Sequence, residues 1–351
     1  MTLIGMTEKR GNAWHYRAQE QGDKSNHYPG FVPVGDVIER LFHWHAENAP
    51  LYLPVPAGPE DCNFIGPNGE MLRMVLQEGR NLTYRPDTEE FFGMFATDSI
   101  HQYDKWLLEN LAHLVTPDGL AVTSDSLGIG SAGLLRGGAQ AWVQLEPADN
   151  FTTPEGVVFR THIMAYSSHN GSQSTTYGMA QTNVVCDNTM SIAIGEMRES
   201  GMRYKVRRSA NSMTNKRIDD ARKAMNLVIA SADSFAEEVK RLCETTVTDR
   251  QWQAFLGEWA PMPEKEGRGR TMAENKRENL TNLWRNDQRV APWSGTAWGV
   301  VQATNTYDHH VAPMKGGLTR SERNTSRAIS GDQAESDAKT LRLLDLVLAN
   351  A

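Results

Sequence analysis

Residues 139–146 read Ala139-Gln140-Ala141-Trp142-Val143-Gln144-Leu145-Glu146, and residues 157–163 read Val157-Val158-Phe159-Arg160-Thr161-His162-Ile163. In the first run Ala139, Ala141, Val143 and Leu145 alternate with Gln140, Gln144 and Glu146; in the second, Val157, Phe159 and Ile163 alternate with Arg160 and His162. A two-residue period sends successive side chains to opposite faces of a strand, so each run predicts a strand with one apolar and one polar face. Turn chemistry separates the runs: Arg136-Gly137-Gly138, then Pro147 to Pro154, then His169-Asn170-Gly171-Ser172. Asn-Gly marks a hairpin because a type I′ turn needs positive φ at both central residues. Leu120 to Glu196 is therefore expected to form an antiparallel sheet with one buried face and one polar face.

Outward from this sheet the period becomes helical. From about Asn215 to Thr245, Ile218, Ala221, Met225, Val228, Ala232, Phe235, Val239 and Leu242 recur by threes and fours, which predicts a long amphipathic helix lying against the sheet. Thr248 to Glu258 continues as a shorter helix with Trp252, Phe255 and Leu256, ended by Pro261 and Pro263. Glu264 to Arg289 is polar and charged and contains a Gly267-Arg268-Gly269-Arg270 turn; Trp298 to Tyr307 and Gln333 to Leu348 read as helices. Upstream, Asp36 to Ala46 predicts a helix capped by Asp36, Pro50 to Pro59 a break, Met71 to Gln77 a strand, and Asp98 to Val115 a second helix. The expected class is α+β: an antiparallel β-sheet core packed by a long amphipathic helix, with a helical C-terminal part. Three parts follow: a mixed N-terminal part over 1–119, the sheet and long helix over 120–262, and a polar linker with C-terminal helices over 263–351.

A chain of 351 residues with 39% hydrophobic and 23% charged residues can bury a full core without disulfides or metals. Met1 to Trp14 has no apolar signal-peptide core, and no run approaches the roughly 20 apolar residues of a spanning helix. A cytoplasmic protein with no membrane contact is expected, and the odd, widely spaced Cys62, Cys186 and Cys243 fit reduced thiols there. The net charge of -7 hides an uneven distribution: Arg198 to Lys223 holds nine basic and three acidic residues. Such a local field can attract a polyanion. Within it Arg203, Lys205 and Arg207 alternate with Tyr204 and Val206, as on an exposed strand; with Arg208, Lys216 and Arg217 they are the candidate phosphate contacts, and Tyr204 the candidate base-stacking ring. A solvated charged face at the start of the long helix is the competing reading of the same residues.

Catalytic motifs are weaker. Gly128-Ile129-Gly130-Ser131-Ala132-Gly133 fits the dinucleotide fingerprint, but that motif needs a helix next, and Leu134-Leu135-Arg136-Gly137-Gly138 leads into another strand. Close backbone approach or a turn is the expected use of these glycines. His43 and His45, two apart on an expected helix, would face different ways and share no metal. Asp308-His309-His310 could hold a metal or a general base, though adjacent residues rarely converge on one ion. Cys186 reads as a buried thiol ending a strand, with a nucleophile as the alternative.

The chain resembles the phage/plasmid-like proteins catalogued as domain of unknown function number 932. The resemblance rests on Ala13-Trp14-His15, Ser131-Ala132-Gly133-Leu134, Gly137-Gly138, Ala141-Trp142-Val143 and Ser168-His169-Asn170-Gly171-Ser172. It continues through Thr182-Asn183-Val184-Val185-Cys186-Asp187-Asn188-Thr189-Met190, the basic segment and long helix, Thr296-Ala297-Trp298-Gly299, and Asp308-His309. After Trp14-His15 the family has a glycine-rich continuation where this chain has Tyr16-Arg17-Ala18. The resemblance implies carriage on a phage or plasmid genome and supplies no catalytic residues. A sheet followed by a long helix, with cations at the junction, is also similar to the core of single-strand annealing proteins, an analogy of fold alone.

The leading expectation is a DNA-handling protein that binds single-stranded DNA as a homo-oligomer, with annealing as a further activity, and without catalysis or cofactor. The alternative is an accessory protein that binds a host protein and inhibits or redirects it. An enzyme using Cys186 or the His309 region ranks third.

Overall fold

The computed structural model describes residues 2–6, 27–96, 100–112, 127–147, 151–172, 175–183, 189–190, 204–206, 235–314 and 319–350. The large sheet is built from β1 (Thr2–Met6), β2 (His27–Tyr28), β7 (Leu127–Leu135), β8 (Gln140–Pro147), β9 (Phe151–Thr152), β10 (Val158–Ser168), β11 (Thr175–Asn183), β12 (Thr189–Met190) and β13 (Tyr204–Val206). Its order is β12-β11-β10-β8-β7-β1-β2, with β9 on β10 and β13 on β11. Every pairing is antiparallel except β1 with β2. The alternating runs that predicted this sheet are β8 and β10 themselves, paired so that Val143 opposes Ala165 and Trp142 opposes Tyr166.

The glycine fingerprint lies inside β7, and the chain turns from there into β8 through Arg136, Gly137 and Gly138, all at positive φ. Gly130 is the unpaired residue of a bulge between Ile129 and Ser131, and a Cβ there would fall on the Glu146 carboxyl group. The glycine therefore makes room for a buried acid. The Asn170-Gly171 turn joins β10 to β11, but only Gly171 has positive φ, and the Asn170 Oδ1 accepts from the Ser172 amide at 3.1 Å. This is an Asx turn in a wider loop, in place of the expected type I′ turn.

The apolar face is buried as expected, by helices from the N-terminal part. Val37 and Leu41 of α1 (Val34–Leu41) and Tyr103, Trp106 and Leu107 of α2 (Tyr103–Ala112) share one cluster with Ile129, Ala132, Ala141, Val143, Leu145 and Ala165. The face expected to be polar and solvated is buried too, with Gln144 and Glu146 at 1% and 0% exposure, and Trp142, Met164 and Tyr166 beside them. Burial is tolerated because the polar groups satisfy one another: Ser131 Oγ donates to Gln144 Oε1 (3.0 Å), Gln144 Nε2 to Glu146 Oε2 (3.4 Å), and Arg160 Nη1 to Glu146 Oε1 (3.2 Å).

Helix α1 starts two residues before the expected cap and stops at Leu41, where Trp44 Nε1 donates to the Leu41 carbonyl (3.0 Å). Asp36 sits in its first turn and accepts from Tyr28 Oη (2.8 Å). The expected break at Pro50 to Pro59 is instead a strand: β3 (Glu47–Pro56), β4 (Phe64–Ile65), β5 (Met71–Arg85) and β6 (Glu90–Phe95) form a second sheet, in which β5 pairs each of the other three. β3 lies at its edge, where prolines can occupy positions whose amide would point away from the ladder.

The C-terminal part is helical: α3 (residues 235–244, the described end of the expected long helix), α4 (Asp249–Trp259), α5 (Arg268–Asn286), α6 (Ala297–Thr306), a π-turn over Tyr307–Val311, α7 (Arg320–Ser330) and α8 (Asp332–Ala349). Residues 215–234 of the long helix lie outside the described residues. One apolar cluster joins these helices to the sheet: Phe235, Val239 and Leu242 of α3 pack with Val157, Phe159, Trp252, Trp298 and Val347, and the Phe235 and Phe159 rings lie 4.5 Å apart. The charged stretch expected as linker is helix α5, because Leu280, Leu283 and Trp284 form an apolar stripe and Trp284 stacks on Trp252 at 4.3 Å. Its glycine-arginine segment supplies the helix start, with Gly267 at φ 138° just before Arg268. Helix α4 begins with the capping box of Thr248 and Gln251.

Candidate nucleic-acid interface

β11 meets β10 along one side, and its other side is met by β12 at Gln181 and Thr182 and by β13 at Thr175, Thr176 and Tyr177. The backbone of Tyr204, Lys205 and Val206 thus forms an outer strand of the large sheet, with Lys205 opposite Thr176 and Tyr204 opposite Tyr177. The strand conformation matches the alternation that singled out this segment. Arg203, Arg207, Arg208, Lys216 and Arg217 lie outside the described residues, as does Cys186.

Close to this edge the start of α2 is fastened to the sheet. His101 Nε2 lies 2.7 Å from Ser167 Oγ, which lies 3.0 Å from Thr175 Oγ1. The His169 ring sits among His101 (4.8 Å), Tyr103 (4.0 Å) and Phe92, stacked on it at 5.6 Å, and its amide donates to the Ala139 carbonyl (2.8 Å). A serine beside a histidine suggests a nucleophile, but Ser167 is fully buried in β10. The arrangement holds β10, β11 and α2 in register. Its partners are 66 residues apart in sequence, which is why no local pattern disclosed it.

His43 and His45 lie beyond the end of α1 and are exposed, each with its own carboxylate: His43 Nε2 is 3.9 Å from Asp87 and His45 Nε2 is 3.0 Å from Asp104. Asp308, His309 and His310 lie in the π-turn that ends α6, facing arginines of α7. Arg320 Nη1 donates to the His309 and Ala312 carbonyls (3.3 Å each), and Arg323 Nη1 to the Asp308 carbonyl (2.7 Å). Asp308 Oδ2 accepts from Ser336 Oγ (2.6 Å) and pairs with Arg327 Nη2 (3.5 Å). Burial, and then the charges of Arg327, Arg323 and Arg320, drive the His309 pKa down to about 3, so the ring is neutral at pH 7. A cation would meet three guanidinium groups here, which argues against a metal site. Among the described residues no group of three His, Cys, Asp or Glu side chains could hold a metal ion.

The arginines of α7 were legible only in part: Arg320, Arg323 and Arg327 recur by three and four, but α7 itself was not anticipated. Nearby, Lys276 lies over the Trp259 ring at 3.7 Å, and burial lowers its pKa. Burial also pushes the Cys243 thiol up to about 12, with Glu155 and Glu244 adding to the shift, so it remains protonated.

Among the described residues an almost wholly antiparallel nine-stranded sheet, with helices on its apolar face and a helical C-terminal part, makes this an α+β protein. No described helix is long and apolar enough to cross a membrane. The family Domain of unknown function (DUF932) matches residues 101–336, well over half of the sequence, and the chain belongs to it. The match begins just after the small sheet and runs from His101 through α7 into the start of α8. No curated protein and no solved structure matches the chain.

Proposed function

We infer that the chain is a DNA-handling protein of a phage or plasmid, which binds single-stranded DNA at the β13 edge of the large sheet and anneals it without catalysis. The observation that carries this reading is the coincidence of the most basic segment of an otherwise acidic chain with an outer strand. A sheet edge gives an extended backbone an open approach, and cations alternating with an aromatic residue suit phosphates and stacked bases. Arg203, Lys205, Arg207, Arg208, Lys216 and Arg217 hold phosphates in this reading, and Tyr204 stacks on a base.

The test is fluorescence anisotropy with labelled single- and double-stranded oligonucleotides across a salt series. If all six cations engage, log affinity falls against log salt with a slope near about -4, from roughly -0.7 per phosphate. Changing Arg203, Lys205, Arg207 and Arg208 to glutamate should abolish binding of single strands, and Tyr204→Ala should weaken it by ~1–3 kcal/mol. No binding at low salt, or equal binding by the glutamate variant, would overturn the reading in favour of a protein that binds and redirects a host factor.

A further inference from the structure

Most of the exposed large apolar side chains among the described residues lie on one small element. Tyr52, Leu53, Phe64, Ile65, Met71, Met74, Leu76, Phe91 and Met94 all belong to β3, β4, β5 and β6, and are 36–59% exposed. The outer half of this sheet is narrow. β6 pairs β5 only from Asn81 to Arg85 and β4 covers only Met71 and Leu72, so between them β3 is the one ladder partner of β5 among the described residues. A two-stranded ribbon of this kind is marginal alone in water and gains stability when one face is covered.

Register separates its two faces. Tyr52 opposes Leu76, Pro54 opposes Met74, and Leu72 opposes Phe64, which places all six on one face. No charged residue falls on that face in the paired stretch, whereas the opposite face carries Arg73 across from Val55. An apolar patch this contiguous on a chain of net charge -7 marks an interaction surface.

We propose that this face is the contact between two copies of the chain, packed face to face about a two-fold axis through Pro54 and Met74. Two features select a second copy as the occupant. The absence of charge lets identical faces meet with no like-charge opposition. The face is also self-complementary, because rotation about the Pro54–Met74 line reverses the strand direction and keeps the strand order: it sets Leu76 of one copy against Leu72 of the other, and Tyr52 against Pro56, which the register pairs with Leu72. The six side chains offer about 500 Å² per copy, so the pair buries about 1,000 Å², the lower bound for a specific interface. A dimer that dissociates in the micromolar range is therefore expected, and it forms whether or not the chain binds DNA.

Sedimentation velocity of the full chain from ~1 to ~100 μM should show a concentration-dependent shift from monomer to dimer. Met74→Glu with Leu76→Glu should leave a monomer throughout, while Leu53→Glu with Ile65→Glu on the opposite face should leave the dimer intact; unchanged thermal melts would show that both pairs fold. In a Cys62→Ser background, Met74→Cys should form a disulfide-linked dimer on mild oxidation, because the axis brings the two sulfurs together. A wild-type chain monomeric at every concentration, a dimer that survives Met74→Glu with Leu76→Glu, equal loss from the opposite-face pair, or no cross-link at position 74 would each overturn the proposal.

Discussion

Lowering the pH below 6.5 should destabilise the protein through His309 in particular. The unfolded chain takes up a proton on this imidazole near its ordinary pKa of 6.5, whereas the folded chain resists until about 3, since burial and the facing Arg327, Arg323 and Arg320 oppose the charged ring. The stabilisation from keeping the ring neutral is therefore complete above pH 6.5 and is lost progressively as pH falls toward 3. Each pH unit in that window removes about 1.4 kcal/mol, so pH 5 costs about 2 kcal/mol relative to pH 6.5 and above. The assay is urea unfolding followed by tryptophan fluorescence at pH 7.5, 6.5, 5.5 and 5.0, with His309→Gln beside the wild type. The variant should be less stable at neutral pH, but its stability should fall less on acidification, narrowing the gap by about 2 kcal/mol at pH 5. The carboxylates held low by ion pairs or caps, such as Asp287 and Glu322, titrate alike in both chains and drop out of the difference. Parallel stability curves for the two chains would refute the argument that His309 is held neutral by its surroundings.

The bulge in β7 and the buried ion pair allow two further tests. Gly130→Ala should lower stability by about 3 kcal/mol, because the new methyl group meets the Glu146 carboxyl in a packed interior. Gly257→Ala in α4, where nothing lies within 4 Å, should raise it by about 0.5–1 kcal/mol; equal melting shifts for the two glycines would contradict the packing argument. Arg160→Met should cost about 3–5 kcal/mol by leaving Glu146 buried without that partner, and adding Glu146→Gln should recover part of the loss. Additive losses in a denaturation double-mutant cycle would show that the pair is not coupled.

The elements whose pattern repeats within a few residues were legible in the chain itself. Alternation announced β8 and β10, the stripe of Phe235, Val239 and Leu242 announced the face of α3, and Trp252, Phe255 and Leu256 announced α4. Non-local contacts decided the rest. Gln144 and Glu146 looked like a solvated face because sequence shows polarity and not cover; their burial depends on Ser131 and Arg160, which other strands bring alongside. The proline-rich β3 runs against local propensity and is held by its pairing with β5, whereas α5 is built largely of good helix formers and its stacking on Trp252 decides which face it buries. For the candidate interface, charge and alternation picked out Tyr204 and Lys205, but their place beside β11 required the folded sheet. The apolar ribbon was invisible in composition, since whether Tyr52, Met74 and Leu76 are core or surface depends on whether anything else in the chain packs over them. Sequence thus determined periodicity and charge, which are local properties, whereas tertiary structure decided what is covered and what is left open, because burial is set by contacts between segments far apart in the chain.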